Sequence, residues 1–277
     1  MQNTVKTILK EHGISLVAPV SLSHLTKTRP YLLERHGITD GTAFMIAVPY
    51  YTTYCDDCAR NISLYAVSRD YHLFFEALFA DVLPKLTATF PENRFVGFTD
   101  HSPIAEAQAA VLAGLGQLGC NHLFLTKEHS SFVFLGEIIT DAVLAAPPHP
   151  VTVCTECGAC RRACPVGLDT ATCLSALTQK KGTLTAAQEQ AVLSGGLAWG
   201  CDTCQLACPV TKAARAAGTL YSRIPFFHEA AIPHLTADRI NAMSEAEFHA
   251  RAYSWRGRAV ILRNLALFET NGKGEPL

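Results

Sequence analysis

Residues 154–165 read "CTECGACRRACP". Four cysteines fall within eleven residues, and a proline follows the last. The spacing is Cys-x2-Cys-x2-Cys-x3-Cys-Pro. In such a run the first three thiolates hold one [4Fe–4S] cluster and the fourth reaches a second cluster. A shorter run follows at Cys201, Cys204 and Cys208-Pro209, and Cys173 lies alone between the two. Four, one and three thiols make the eight that two clusters require.

Crossed ligation assigns Cys154, Cys157, Cys160 and Cys208 to one cluster, and Cys164, Cys173, Cys201 and Cys204 to the other. Such a crossing staples the runs together, so metal binding and folding of this segment are expected to be coupled. Zinc also takes Cys-x2-Cys pairs, but it accounts for neither the two Cys-Pro endings nor the three-residue gaps. Three of the eleven cysteines remain. Cys55 and Cys58, in "YCDDCA", make half a metal site, and the two aspartates between them are expected to raise their thiol pKa. Cys120 reads as a packed small hydrophobe.

The rest of the 277 residues bound the context. Hydrophobic content is 49% and net charge is −1. A sizeable core is available, and a nucleic-acid partner would have to be met by a local basic patch. The N-terminus, "MQNTVKTILKEHGIS", lacks the apolar run of a signal peptide. No apolar stretch reaches the roughly 20 residues of a membrane span. A cytoplasmic location with no membrane partner is expected, where clustered thiols bind metal rather than form disulfides.

Ahead of the cysteines, short apolar runs alternate with amphipathic stretches. "AFMIAVPY" (43–50), "RFVGFTD" (94–100) and "SFVFLGEIIT" (131–140) are predicted strands, the second ending on Asp100. Residues 61–89 carry apolar positions at helical spacing, through "LFFEALFADVLPKL". "SPIAEAQAAVLAGLG" opens like a helix, with Ser102 before Pro103. The pattern is α/β. "AAPPHPVT" (145–152) reads as a linker, and from about 213 the chain reads as helical, ending in a polar tail, "NGKGEPL". A two-cluster carrier needs only the cysteine segment, so the long apolar-rich stretch before it calls for a cofactor or substrate pocket.

Together these stretches resemble the epoxyqueuosine reductase family. The resemblance rests on "VPYY", "YAVSRDYH", "FTDHSPIAE", "AGLG", "SFVFLGEIITD", "CTECGACRRACPVG", "CLSALTQKKG", "GCDTCQLACP" and "SWRGRAVILRN", in that order over residues 45–268. It implies a nitroreductase-like domain (1–145) that holds cob(II)alamin, a ferredoxin-like domain with two [4Fe–4S] clusters (146–212), and a helical C-terminal segment with a basic patch (213–277). It implies Asp100 as the catalytic acid. Corrinoid contacts would fall on Ser63, Asp100, Phe124, Leu135, Ser175 and Asp202. Contacts to tRNA carrying epoxyqueuosine would fall on Gln179, Lys181, Ser254, Arg256 and Arg258. An external low-potential donor would supply electrons.

Residue chemistry fits these roles. An aspartate ionised in water can hold a proton if a large apolar cofactor buries it; its other reading is a helix cap in "TDHSP". The stretch 251–263 carries Arg251, Arg256, Arg258 and Arg263 with no acid, beside Trp255, and Lys180 and Lys181 lie between the cysteine runs. Arginine and tryptophan suit phosphate contact and base stacking. His72, in "DYHLFF", lacks the signature of a cobalt-ligating histidine and reads as structural. Three features depart from the family: it commonly continues into C-terminal helical repeats, Gln117 and Cys120 replace its usual residues after "GLG", and "CDDC" is not its hallmark. Competing readings are a cobalamin reductase akin to reductive dehalogenases and a two-cluster electron carrier.

Overall fold

The structure, a computed structural model, describes residues 1–270; the tail at "NGKGEPL" lies outside the described residues. The fold is mixed α/β. No described helix is long and apolar enough to cross a membrane. Two compact units are each assembled from three separate stretches of chain.

The first unit comprises Met1–Tyr50, His72–Cys157 and Ala213–Ile224. Its elements are α1 (Gln2–Glu11), β1 (Leu16–Ser21), α2 (Tyr31–Glu34), β2 (Thr42–Pro49), α3 (Tyr71–Thr89), β3 (Phe95–Phe98), α4 (Glu106–Leu112), β4 (Gln117–Leu118), β5 (Phe124–Leu125) and β6 (Val133–Thr140). Four strands form one antiparallel sheet in the order β1-β2-β6-β3. Every residue of β2 is buried. A strand covered on both faces reads as a continuous apolar run, which is why "AFMIAVPY" is legible.

The two faces are covered differently. On one, α4 packs against β2 and β6 around Ala43, Met45, Ala47, Ala109, Ala110, Ala113 and Ile139. On the other, α3 lays Phe75 and Phe79 on glycines. A Cβ at Gly136 would sit 2.4 Å from the Phe75 ring, and one at Gly97 would sit 2.5 Å from Phe79. These two strand glycines exist for that approach.

Two helices begin later than the sequence suggests. Residues 61–70 are not helical apart from a 3-10 turn at Leu64–Ala66. Their backbone is engaged elsewhere: Ser63 N–H donates to Trp199 O, and Asn61 O accepts from Ala198 N–H at 2.7 Å. Likewise α4 starts at Glu106, not at Ser102. The Ser102 hydroxyl donates to Glu137 and accepts from Ile104 N–H, so it fixes the loop instead of capping the helix.

The second unit comprises Tyr51–Tyr71, Gly158–Lys212 and Pro225–Leu277. It carries α5 (Ala159–Ala163), α6 (Leu174–Thr178), α7 (Ala186–Gly195), α8 (Thr203–Leu206), α9 (Pro209–Ala216), α10 (Ala237–Ala242), α11 (Glu245–His249) and α12 (Arg258–Thr270). Ile62, Trp199, Phe248, Tyr253 and Ile261 form its core. Trp199 is buried, and its Nε1–H donates to the Tyr65 hydroxyl at 2.7 Å. Buried Asn264 donates to Thr178 O and Ala198 O, tying α12 to the chain before Gly200.

Candidate functional site

The cysteines lie on short helices and their flanks. Gly158, at φ +71°, turns the chain into α5, which carries Cys160. Cys164 ends α5, and its N–H returns to Cys160 O at 3.0 Å. Cys173 precedes α6, Cys204 lies within α8, and Cys208 immediately precedes α9. Proline suits the position after Cys208, because the first turn of a helix needs no N–H from it. Within the second unit, α5 packs directly against α8, so the two Cys-Pro runs meet. None of the eleven cysteines is in a disulfide; Cys157 is exposed and the other seven of the eight are half-buried. Among the described residues no three His, Cys, Asp or Glu side chains are gathered as a single metal ion requires.

The three remaining thiols divide. Cys55 is buried, and burial pushes its thiol up to about 11, with Thr52 hydrogen bonds opposing. The direction agrees with the sequence reading, but the main cause is desolvation rather than the flanking aspartates. Cys58 is exposed. Cys120 is not a packed hydrophobe: it is half-buried, and its Sγ lies 3.9 Å from Cys154 Sγ. Gln117 reaches the same place, its Oε1 accepting from Val153 N–H at 2.7 Å and Cys154 N–H at 2.8 Å. The two residues that depart from the family pattern thus both touch the first cysteine.

Asp100 lies two residues beyond β3 and adopts a left-handed φ of +59°, uncommon for a residue with a side chain. Its N–H donates to Glu106 Oε1 at 3.0 Å, and its Oδ2 is 3.7 Å from His72 Nε2. Its side chain is 70% exposed. The protein alone therefore does not supply the burial expected around this acid.

Behind Asp100 sits a feature the motif reading misses. Glu137 is fully buried in β6, its strand neighbours across the sheet being Met45 and Phe98. One oxygen accepts from Ser102 Oγ; the other, Oε2, has no donor. It faces the Glu106 carboxyl, and both carboxyls are pushed up, first by burial, with Glu106 reaching about 7. A proton held between the two carboxyls would satisfy the orphaned oxygen. A lone acid inside the apolar run "FVFLGEIIT" is the signal that could have found it.

Ser63 and Asp202 come together within the second unit. Ser63 Oγ donates to Asp202, which also accepts from Leu64 N–H and pairs with Arg60 at 2.9 Å. Burial raises the Asp202 pKa, while Arg60, Ser63 and Leu64 oppose it. Both side chains are buried and satisfied by each other, so they bind the Tyr51–Tyr71 stretch to the cysteine segment. Phe124 is buried in β5, and Leu135 is half-buried in β6. Ser175 Oγ accepts from Gln179 Nε2 at 3.1 Å.

The basic stretch is smaller than its sequence suggests. Arg251 is buried. Arg258 turns inward, donating to Ile240 O, Met243 O and Ser244 O and pairing with Glu245. Arg263 donates to Lys180 O and Gly182 O. Each guanidinium serves as a cap for carbonyls left over at helix ends and turns. Ser254 Oγ donates to His249 O. What faces outward is Trp255, 58% exposed, with the Arg256 guanidinium 3.7 Å from its ring centroid, and Lys181.

Comparison with known proteins bears on these features. No protein-family model matches the chain. An epoxyqueuosine reductase of Gloeobacter violaceus is 33% identical over 196 residues, which is 68% of this chain and 61% of that protein. This chain thus spans about three-fifths of that relative, and 43% of a Burkholderia pseudomallei one at 35% identity. Among solved structures, a Streptococcus thermophilus epoxyqueuosine reductase matches the fold at TM-score 0.78 and 21% identity, covering 98% of this chain and 81% of that one. An epoxyqueuosine reductase crystallised with an epoxyqueuosine-modified tRNA stem loop matches at TM-score 0.74 and 25% identity, covering 96% and 80%. Sequence and fold agree: this chain is similar in sequence to epoxyqueuosine reductases over about two thirds of its length, and its fold matches theirs.

Proposed function

We propose that the chain is an oxidoreductase that reduces epoxyqueuosine in tRNA to queuosine, with two [4Fe–4S] clusters and cobalamin as cofactors. The observation that carries the reading is the meeting of both Cys-Pro runs on α5 and α8 in a homologue of these reductases. The clusters fall to Cys154, Cys157, Cys160 and Cys208, and to Cys164, Cys173, Cys201 and Cys204, in a ferredoxin-like segment. The corrinoid falls to the nitroreductase-like part, with Phe124 and Leu135 offering contact.

The conversion takes two electrons and two protons and releases one water as the epoxide becomes an alkene. The cofactors, when bound, supply low-potential one-electron transfer from an external donor and a nucleophilic metal centre. The chain's own residues handle protons and position. Asp100 protonates the departing oxygen. Glu106 holds the Asp100 backbone by its N–H, and Glu137 shares a proton with Glu106, so the loop rests on a neutral or singly charged pair. His72 stands 3.7 Å from the acid, able to return a proton to it. Trp255, Arg256 and Lys181 offer the RNA a stacking surface and cations.

Anaerobic purification followed by iron and cobalt analysis tests the cofactors. Incubation with epoxyqueuosine-containing tRNA and a reductant, read by nucleoside mass spectrometry, tests the reaction. Eight irons, one cobalt and formation of queuosine are expected. Bound cobalamin without queuosine would reject the substrate; irons without cobalt would leave an electron carrier.

A further inference from the structure

A cavity of about 420 Å³ opens within the second unit, away from the cysteines in sequence. Arg69, Arg239, Arg251 and Glu247 are its charged walls, and Ala231, Ile232 and Met243 are among its apolar ones. Arg69 and Arg251 stand directly opposite on paired antiparallel backbone, and Asp70 N–H donates to Ala250 O beside them at 2.9 Å. Like charges so placed repel.

The protein compensates little of that charge. Arg69 pairs with Glu229 at 2.8 Å and lies 4.3 Å over the Phe226 ring. Glu247 is occupied as the acceptor that caps α11, taking Ser244 N–H and Oγ–H at 2.8 Å each. Among the described residues neither Arg239 nor Arg251 pairs with a carboxylate. Arg251 is only 3% exposed, and its one bond to a carbonyl is Nη2 to Ala230 O at 2.8 Å. Arg69 Nε and Arg251 Nη1 are buried with no acceptor. Burial and the two neighbouring arginines push the Arg251 pKa down from its usual value, while Tyr253 opposes. Buried charge without a counter-charge is costly. An oxyanion in the cavity would relieve the repulsion and supply the missing acceptors, since guanidinium groups match phosphate geometry.

We propose that this cavity is a phosphate site, binding the phosphate group of a ligand whose apolar portion rests on Ala231, Ile232 and Met243. Its volume exceeds what a lone phosphate needs and lies in the range of small-molecule pockets. The proposal does not rest on the reductase reading, since it invokes neither the clusters nor Asp100.

The test uses the intact, anaerobically purified chain. Inorganic phosphate is titrated calorimetrically against a chloride control at matched ionic strength, and the melting temperature is followed in parallel. Phosphate should bind and raise the melting temperature where chloride does not. Arg251→Lys should weaken binding about tenfold by losing the forked contact. Because a change at a buried arginine can disturb folding, Arg239→Gln, at an exposed position on α10, provides the second variant and should weaken binding similarly. Adenosine 5′-monophosphate binding more tightly than phosphate would assign the site to a small ester. Displacement of phosphate by a short RNA stem loop would assign it to a nucleic-acid backbone. Phosphate that binds no better than chloride, or that binds both folded variants as well as the parent chain, would overturn the proposal.

Discussion

The sheet of the first unit and the cysteine segment of the second are held by different forces. Strand β2 buries all eight of its residues, and α3 and α4 cover the sheet on both faces. By contrast α5 has five residues, none of them buried, and α8 has four. Helices this short do not stand alone in water. The sheet draws its order from apolar burial, whereas α5 and α8 have little to bury and, on the proposed reading, draw order from what their thiols bind. The comparison teaches that metal loading and core stability should be separable in this chain.

Removing the metal should have the largest effect. Cys204→Ser, or anaerobic chelation, should raise hydrogen exchange across α5 and α8 by orders of magnitude and leave β2 and β6 protected. Equal loss of protection in both regions would break the comparison. The complementary change is Phe75→Ala, which removes the ring seated on Gly136. It should cost the sheet about 3–5 kcal/mol, read as a lower urea midpoint, with iron content per folded chain unchanged.

Asp100→Asn sharpens the contrast between holding cofactors and using them. Iron and cobalt should remain bound, and queuosine formation should fall about 10²–10⁴-fold. Retained turnover would remove Asp100 from the role of acid. A smaller effect is expected at the outward surface. Arg256→Glu with Lys181→Glu should weaken stem-loop binding several-fold at low salt and shallow its salt dependence by roughly two ion releases. Arg258→Glu should instead destabilise the region around α10 and α11, because its guanidinium holds Ile240 O, Met243 O and Ser244 O.

The same contrast explains what could be read from the sequence. Thiols at metal-ligand spacing are legible because chemistry fixes their intervals, and β2 is legible because burial on both faces leaves an uninterrupted apolar run. The start of α3 is not legible: residues 61–70 have helical spacing, yet their backbone is paired with Ala198 and Trp199, a tertiary contact that local pattern does not contain. Ser102 precedes Pro103 as a cap would, but a buried carboxyl in β6 competes for its hydroxyl. Arginines 251, 258 and 263 look like a surface patch because a sequence shows charge and not direction. Three-dimensional placement turns one into a cavity wall and two into carbonyl caps. Two carboxyls from α4 and β6 lie 31 positions apart and have no joint signature.

That pair is the exception inside the apolar unit, and it should give the smallest but most diagnostic effect. Glu106 is raised from 4.5 to about 7, and Glu137 is raised as well. The folded chain therefore holds protons that the unfolded chain has released. Stability from this source is greatest below about 4.5 and is lost as pH rises toward and past 7. Arg29, which lowers Glu106, and Asp100, which raises it, both face the pair and set where the loss begins. His129 works in the opposite sense: burial lowers its pKa, so its contribution improves as pH rises toward its ordinary value. A bare pH profile would mix the two. Glu137→Gln separates them, because glutamine can still donate to Glu106 and accept from Ser102 but cannot ionise. The change removes the titration of Glu137, while burial, the first cause at Glu106, keeps that carboxyl raised. The urea midpoint of the variant should fall less than that of the parent chain between pH 5.5 and 8, and the difference between the two profiles isolates the pair. Parallel profiles would mean that no proton is shared there, and that the loop bearing Asp100 is held by its hydrogen bonds to Glu106, Ser102 and Arg29 without one.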